Sequence, residues 1–142
     1  MLDDNKDTVR RYYADVWAKG DPALLDELLA DDYVDHNPFP GLSGDKVGAA
    51  AVVTSVMSGT TEVNMTIGHM IGEGEFVAAH WRMEWTQHGA FMGMVPADGK
   101  HLSLEGHDFI RLADGRIAEI WHVEDVMSVM GQLGALPGPP NA

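Results

Sequence analysis

The sequence lacks cysteine and is poor in basic residues, and each absence excludes a kind of chemistry. Without cysteine there is no disulfide, no thiolate metal ligand and no thiol nucleophile. Nine lysines and arginines stand against 22 aspartates and glutamates, which gives a formal net charge of -13 at pH 7. Since no basic cluster is available to displace counterions from phosphates, we expect neither a nucleic acid nor a membrane surface as a partner.

The chain also lacks a long apolar run. The segment from Met1 to Asp7 is polar and acidic and contains no apolar core of a secretory signal, so we expect a cytoplasmic protein. With 142 residues, of which 45% are hydrophobic, the chain suits one globular domain. We assign residues 1–136 to this domain. Residues 137–142, which begin Pro-Gly-Pro-Pro, are predicted to be a flexible tail.

The spacing of apolar residues is helical in the first third of the chain. The first stripe consists of Val9, Tyr12, Tyr13, Val16 and Trp17. A second short helix is predicted to begin at Asp21-Pro22, where the aspartate suits an N-cap and the proline the first turn. An Ala/Val-rich segment from Asp45 to Met57 predicts a third helix.

After Gly59 the period changes to alternation, which predicts a meander of four strands over residues 61–71, 76–91, 101–112 and 116–124, and a short helix at 125–133. Helices followed by strands are typical of an α+β domain. The strand over 76–91 is much longer than average and has to bend. We therefore predict a cone-shaped, curved antiparallel sheet covered by three N-terminal helices, whose interior binds a hydrophobic small molecule.

Two histidines on the last hairpin are the first candidates for chemistry. Counting back from its turn at residues 113–116 pairs Phe109 with Ile120 and His107 with His122. Phe109 and Ile120 are apolar, which favours the inner face for all four side chains. Burial and mutual repulsion would keep at least one imidazole neutral near pH 7 and able to accept a proton. The alternative is that both are half-exposed or hydrogen-bonded core histidines without a reaction.

Asp125 lies three residues after His122, where the last strand gives way to the last helix. Aspartate is a common N-cap, and Val126 begins a helical pattern. The alternative is a carboxylate that orients an imidazole or itself moves a proton.

The remaining residues give no sign of a metal site or a cofactor. The other histidines do not pair at metal-ligand spacing, and the sequence has neither a nucleophile elbow nor a phosphate-binding glycine loop. Aromatic side chains suit a pocket for a flat apolar ligand, although most such residues simply form core. Our candidates for the pocket wall are Tyr13, Trp17, Trp81, Trp85, Phe91 and Phe109.

Four segments in order along the chain are Tyr33–Pro38, Phe91–Gly93, Asp114–Trp121 and Gln132–Gly134. Together they resemble the SnoaL-like polyketide cyclase family over nearly the whole chain. The resemblance implies the same cone fold, proton transfer without metal or cofactor, and a homodimer formed through open sheet faces. Founding members of that family close a ring of an anthracycline precursor by aldol condensation. Their proton-handling aspartate on the last strand corresponds here to His122.

We therefore expect a cofactor-independent cyclase that closes a ring in a hydrophobic polyketide substrate by aldol-type or pericyclic chemistry. His107 and His122 would exchange protons, and Asp125 would orient one of them. Hydrogen bonds to developing negative charge would come from Asn37 and Gln87. His36, beside Asn37, is a further candidate for binding the substrate. A non-catalytic ligand-binding or accessory protein is the alternative, and an isomerase or hydrolase acting on a smaller ring compound ranks last.

Overall fold

The computed structural model describes residues 1–138, so Pro139 to Ala142 of the predicted tail lie outside it. The helices are α1 (Leu2–Arg11), α2 (Leu25–Leu28), α3 (Lys46–Ser58) and α4 (Val126–Gln132). The strands are β1 (Leu29–Asp35), β2 (Thr60–Glu73), β3 (Phe76–Gln87), β4 (His101–Ala113) and β5 (Arg116–Glu124). Within residues 1–138 no helix has the length and apolarity needed to cross a membrane.

The five strands form one curved sheet in the order β1-β5-β4-β3-β2. Strands β2 to β5 are the predicted antiparallel meander, and the helices pack on one face of it, so the α+β cone is confirmed. Strand β1 is not among the four strands predicted from the sequence. It pairs in parallel with β5 and extends the sheet by one edge strand.

Local signals in the sequence explain where the helices begin. Asp21 accepts a hydrogen bond from the backbone of Ala23 at the head of a 3-10 turn, and Asp45 accepts one from the backbone of Gly48 at the head of α3. Helix α1 continues into a wider π-helical turn, Tyr12–Trp17. Such turns are frequent at functional sites, and this one directs its buried tyrosines towards the sheet.

The inner face of the sheet follows the alternation of β3 and β4. On β3 the inward side chains are Val77, Ala79, Trp81, Met83 and Trp85. On β4 the buried positions are Leu102, Gly106, Asp108, Ile110 and Leu112. Because the helices cover only this face, the outer face of the sheet stays open.

A β-bulge near the last hairpin makes our predicted register wrong. Leu112 pairs with Ile117, but Arg111 pairs with Glu119, so Ala118 is an extra residue in β5. Ile117 and Ala118 are both buried, as expected where two consecutive residues face one partner.

Beyond the bulge, every pairing is shifted by one residue. Asp108 lies opposite His122, while His107 lies opposite Val123. Because side chains alternate between the faces of a strand, His107 is on the outer face of the sheet and His122 on the inner face. The predicted pair of facing histidines is therefore not formed.

One glycine on β4 leaves room for an indole of the neighbouring strand. Gly106 is the direct partner of Trp81, and the indole lies against its backbone. A Cβ at residue 106 would come within 2.2 Å of Trp81 Cζ2. Glycine is therefore required for this position of the indole.

We predict that Gly106→Ala displaces the indole and lowers the free energy of unfolding by about 1–3 kcal/mol, as overpacking does in other cores. Urea denaturation measures the loss, and near-ultraviolet circular dichroism reports the displaced tryptophan. Gly131→Ala is the matched control, because a Cβ there would make only an ordinary 3.6 Å contact with Leu136. A Gly106→Ala protein as stable as Gly131→Ala would contradict the prediction.

Candidate active site

A cavity of about 100 Å³ lies between the inner face of the sheet, the π-helical turn and α3. Its wall is mostly apolar. The apolar and aromatic side chains around it include Tyr12, Tyr13, Trp17, Leu25, Tyr33, Phe39, Val53, Met65, Trp81, Met83, Leu104 and Ile120. The ionisable groups other than tyrosine that reach it are Asp35, Asp108, His122 and Glu124. The cavity therefore combines an apolar wall with one compact cluster of these four ionisable groups.

Asp108 is the most deeply buried of these groups, with 6% of its surface exposed. Burial raises its pKa to about 6, and the nearby Glu124 acts in the same direction. The Tyr13 hydroxyl donates a hydrogen bond of 2.5 Å to Asp108 Oδ2 and acts in the opposite direction. A carboxylate with this pKa exchanges protons readily near neutral pH.

Trp81 supplies a polar hydrogen beside this carboxylate. Its indole N–H is near enough to favour the charged form of Asp108, but the geometry falls short of a hydrogen bond. Among residues 1–138, Trp81 Nε1 is buried without a hydrogen-bond partner. Buried donors are usually satisfied, so an oxygen atom of a ligand is a natural partner for this one.

His122 is held between two other carboxylates. Its Nδ1 is 2.5 Å from Glu124 Oε1, and its Nε2 is 3.0 Å from Asp35 Oδ1. Burial lowers the pKa of His122, but the hydrogen bonds and charges of Asp35 and Glu124 outweigh it and raise the pKa to about 10. The imidazole is thus protonated at pH 7 and donates from both nitrogens. Of the two histidines that we expected to exchange protons, His122 is therefore a cation rather than a neutral acceptor.

Three buried tyrosines complete the polar side of the cavity. Burial raises the pKa of Tyr12, of Tyr13 and of Tyr33 above the ordinary value of a phenol. All three are therefore neutral at physiological pH, and a neutral phenol can donate a hydrogen bond but is a poor base.

The model of the SnoaL-like polyketide cyclase family matches residues 7–133. The chain belongs to this family. Among solved structures, TsrD from Streptomyces laurentii is 26% identical with a TM-score of 0.83, over 94% of this chain and 97% of that one. IdmH from Streptomyces antibioticus, provisionally described as a polyketide cyclase, is 29% identical with a TM-score of 0.79, over 92% of this chain and 98% of that one.

A more distant structure matches in fold alone. AclR from Streptomyces galilaeus, provisionally described as a hydroxylase, is 21% identical with a TM-score of 0.84, over 99% of this chain and 91% of that one. A comparison with curated protein sequences gave no significant match. Membership of the SnoaL-like family supports a cyclase-type function, while the reaction has to be argued from the cavity.

Several residues that we proposed for the site do line the cavity of this SnoaL-like chain. They are Tyr13, Trp17, Trp81 and His122. Asp108 on β4 lies directly opposite His122, the residue that the resemblance aligns with the family's aspartate.

Other candidates lie elsewhere. His107 and Phe109 are exposed on the outer face of the sheet. Asp125 is exposed and caps α4 by accepting a hydrogen bond of 3.1 Å from the backbone of Ser128, so the N-cap alternative describes its position. His36 stacks on Trp121 with ring centroids 4.3 Å apart, outside the cavity.

The remaining candidates have structural partners. Asn37 accepts a hydrogen bond of 2.9 Å from the backbone N–H of His122, which fixes β5 at this point. Gln87 accepts one of 2.9 Å from the indole of Trp85, and both are buried away from the cavity wall. The Phe91 ring packs 6.3 Å from that of Trp85.

Three carboxylates of the cavity, Asp35, Asp108 and Glu124, were not among the site residues predicted from the sequence. A signal for Asp108 was available, because it is the one charged residue among the alternate positions 102 to 112, which are otherwise apolar or glycine. Asp35 and Glu124 each follow mixed polar segments, and the sequence offers no comparable signal for them.

We predict that His122→Gln lowers the free energy of unfolding by roughly 3 kcal/mol near pH 6, because two half-buried carboxylates lose their cation. The raised pKa of His122 means that its stabilising contribution is complete below pH 6.5 and is lost as the pH rises through about 10. Urea denaturation between pH 6 and 10 should therefore show the difference from wild type shrinking with pH.

The exposed His101 provides the control, since His101→Gln should change stability little at any pH. A difference between wild type and His122→Gln that stays constant or grows towards pH 10 would contradict the prediction.

Proposed function

We propose that this protein is a cofactor-independent cyclase that closes a ring in a hydrophobic, polyketide-like substrate, with Asp108 as its catalytic base. The observation that carries the proposal is the buried Asp108 carboxylate, whose pKa is raised to about 6, beside the unpartnered indole N–H of Trp81 in an apolar cavity. A base and a hydrogen-bond donor at one point are what enolate formation requires.

The reaction begins when a substrate ketone oxygen accepts a hydrogen bond from Trp81 Nε1. Asp108 takes a proton from the adjacent carbon, which leaves a neutral carboxylic acid and an enolate. The enolate carbon then attacks a second carbonyl carbon of the same molecule, and a carbon–carbon bond forms as that carbonyl becomes an alkoxide. Asp108 returns its proton to the alkoxide, so the enzyme ends in its starting state.

The surrounding residues adjust this chemistry. The Tyr13 hydroxyl orients Asp108 through its 2.5 Å hydrogen bond. The His122 imidazolium donates hydrogen bonds to Asp35 and Glu124, and its own charge lowers the pKa of Asp108, opposing the burial that raises it. The apolar wall excludes water, which strengthens each of these electrostatic interactions.

The size of the cavity bears on the substrate. About 100 Å³ is smaller than the several hundred Å³ of a usual ligand pocket, so a polyketide enters only if wall side chains move. Phe39 is the best placed of them, since it comes from the loop between β1 and α3 and its ring centroid is 6.3 Å from that of His122. A ligand-binding protein without turnover would have the same wall, and only its proton chemistry distinguishes the enzyme.

Proton abstraction can be measured without the natural substrate. We predict that the protein speeds deuterium incorporation beside the carbonyl of 2-tetralone, a bicyclic ketone, in D₂O, and that Asp108→Asn lowers this rate by about 100-fold. The wild-type rate should rise with pH through about 6 and then level off, as Asp108 loses its proton. Mass spectrometry follows the exchange after the solvent rate is subtracted.

Asp125→Asn is the matched control, because it changes an exposed carboxylate outside the cavity and preserves the N-cap. The raised pKa of Asp108 also means that its charge destabilises the fold above pH 6, so Asp108→Asn should fold at least as stably as wild type. Equal exchange rates for Asp108→Asn and Asp125→Asn would overturn the assignment of the base. Binding of 2-tetralone without any exchange would favour the non-catalytic alternative.

The donor can be tested separately. Trp81→Phe keeps an aromatic wall but removes the N–H, and we predict roughly a 100-fold loss of exchange, as when an oxyanion-hole donor is deleted. Trp85→Phe is its control on the same face of β3, since the Trp85 N–H is already bonded to Gln87. Equal rates for the two variants would show that the indole N–H of Trp81 takes no part.

A further inference from the structure

The Tyr33 hydroxyl is a polar group of the cavity to which the reaction proposed for Asp108 gives no role. Tyr33 comes from β1, is 5% exposed and lines the cavity. In the part of the chain that the structure describes, residues 1–138, its hydroxyl forms no hydrogen bond, whereas the Tyr13 hydroxyl donates one to Asp108. Because buried hydroxyl groups are usually hydrogen-bonded, an oxygen atom of a bound substrate would satisfy the Tyr33 hydroxyl.

We propose that Tyr33 is a second catalytic donor, whose hydroxyl binds the oxygen of the carbonyl group that the enolate attacks. The inference rests on the proposed function, because it assigns a residue to the second half of the same reaction. Trp81 stabilises the enolate that Asp108 forms, and Tyr33 stabilises the alkoxide that follows. The substrate class is therefore a diketone whose two carbonyl groups are bound by different donors.

The position of Tyr33 in the sheet suits this role. The strand order β1-β5-β4-β3 places Asp108 of β4 between Trp81 of β3 and Tyr33 of β1. Asp35 pairs with Ile120 and both line the cavity, and Tyr33, two residues before Asp35, is on the same face of β1. The backbones of β1 and β4 are two strand spacings apart, about 10 Å, which a tyrosine side chain and a carbonyl group together can span. The two donors therefore approach the base from opposite sides.

The surroundings of Tyr33 keep its hydroxyl protonated near the base. Burial raises the pKa of Tyr33, and Tyr12 and the charges of Asp35 and Asp108 act in the same direction. Tyr33 therefore keeps its proton throughout the range in which Asp108 titrates. A neutral phenol donates a hydrogen bond without competing with Asp108 for the proton of the substrate.

Tyr12 is the other tyrosine of the cavity that could serve as this donor. Burial raises its pKa, and the indole N–H of Trp17 lies near enough to the Tyr12 oxygen to oppose this effect. The rings of Tyr12 and Trp17 meet edge to face, with centroids 6.5 Å apart. The Tyr12 oxygen thus has a neighbouring donor in the cavity wall, while no group of the described chain orients the hydroxyl of Tyr33. We therefore assign the second carbonyl to Tyr33.

The charge balance of the reaction is compatible with this assignment. When Asp108 takes the substrate proton it becomes neutral, and one negative charge passes to the substrate. Asp35, on the same face of β1 as Tyr33, accepts a hydrogen bond of 3.0 Å from the His122 imidazolium, so a cation balances its charge. A hydrogen bond to the alkoxide is strong in an apolar cavity. Asp108 returns its proton to the alkoxide, and Tyr33 ends with its own.

A small diketone separates the two halves of the reaction. 2-(3-Oxobutyl)cyclohexanone is similar in size to 2-tetralone, and it closes a six-membered ring when the enolate of its methyl ketone attacks the ring carbonyl. In D₂O this enolate either takes up deuterium or cyclises. Proton NMR follows both the loss of the methyl signal by exchange and the appearance of the bicyclic ketol, after the solvent reaction is subtracted. The ratio of cyclisation to exchange then reports activation of the second carbonyl.

Tyr33→Phe removes the hydroxyl and keeps the ring. We predict that it lowers the ratio of cyclisation to exchange by roughly 100-fold, as deletion of an oxyanion-hole donor does, and that Tyr12→Phe lowers the ratio much less. Trp81→Phe should lower both rates together. Since the Tyr33 hydroxyl has no hydrogen-bond partner in the described chain, Tyr33→Phe should keep the wild-type melting temperature.

The results distinguish this inference from the proposed function. An unchanged ratio in Tyr33→Phe, or an equal or larger fall in Tyr12→Phe, would overturn the role of Tyr33 and leave Asp108 as the base. A wild-type protein that exchanges the diketone without cyclising it, or a lower melting temperature of Tyr33→Phe, would overturn it as well. A wild-type protein that exchanges neither 2-tetralone nor the diketone would instead overturn the proposed function, and the role of Tyr33 with it.

Discussion

The arrangement of the site depends on one extra residue, Ala118, in β5. Without this bulge the pairing next to the turn would continue unchanged, and Phe109 would face Ile120. With it, Asp108 and His122 meet on the inner face, and the exposed apolar side chains of β4 and β5 meet on the outer one. A shift of one residue exchanges the two faces of a strand pair, so the bulge determines which side chains line the cavity and which lie on the outer face of the sheet.

The architecture could be predicted because the apolar residues of each helix and strand recur with the period typical of that element. Alternation in β3 and β4 and the helical stripe in α1 are local patterns that the three-dimensional structure reinforces. Strand β1 escaped prediction because its few residues pair in parallel with a distant strand, and such pairing leaves little trace in a short segment.

The candidate site was harder to predict because it depends on register rather than on composition. Counting from the hairpin gave Phe109 and His107 the inner face, although the positions of Leu102, Ile110 and Leu112 favoured the opposite parity for β4. Two patterns in one strand thus disagreed, and a disagreement of this kind is itself evidence for a bulge. The protonation of His122 had no signal at all, since it depends on carboxylates that β1 and the end of β5 contribute.

The charges inside the cone explain why a cation suits residue 122 on β5, the position that the resemblance aligns with the family's aspartate. Three carboxylates, Asp35, Asp108 and Glu124, reach the same small cavity. A fourth carboxylate at residue 122 would add to this concentration of negative charge, whereas an imidazolium there donates a hydrogen bond to each of Asp35 and Glu124. Asp108 is the most deeply buried of the three, and burial raises its pKa to about 6. The raised pKa of Asp108 on β4 and the cation at His122 on β5 are therefore two parts of one electrostatic arrangement.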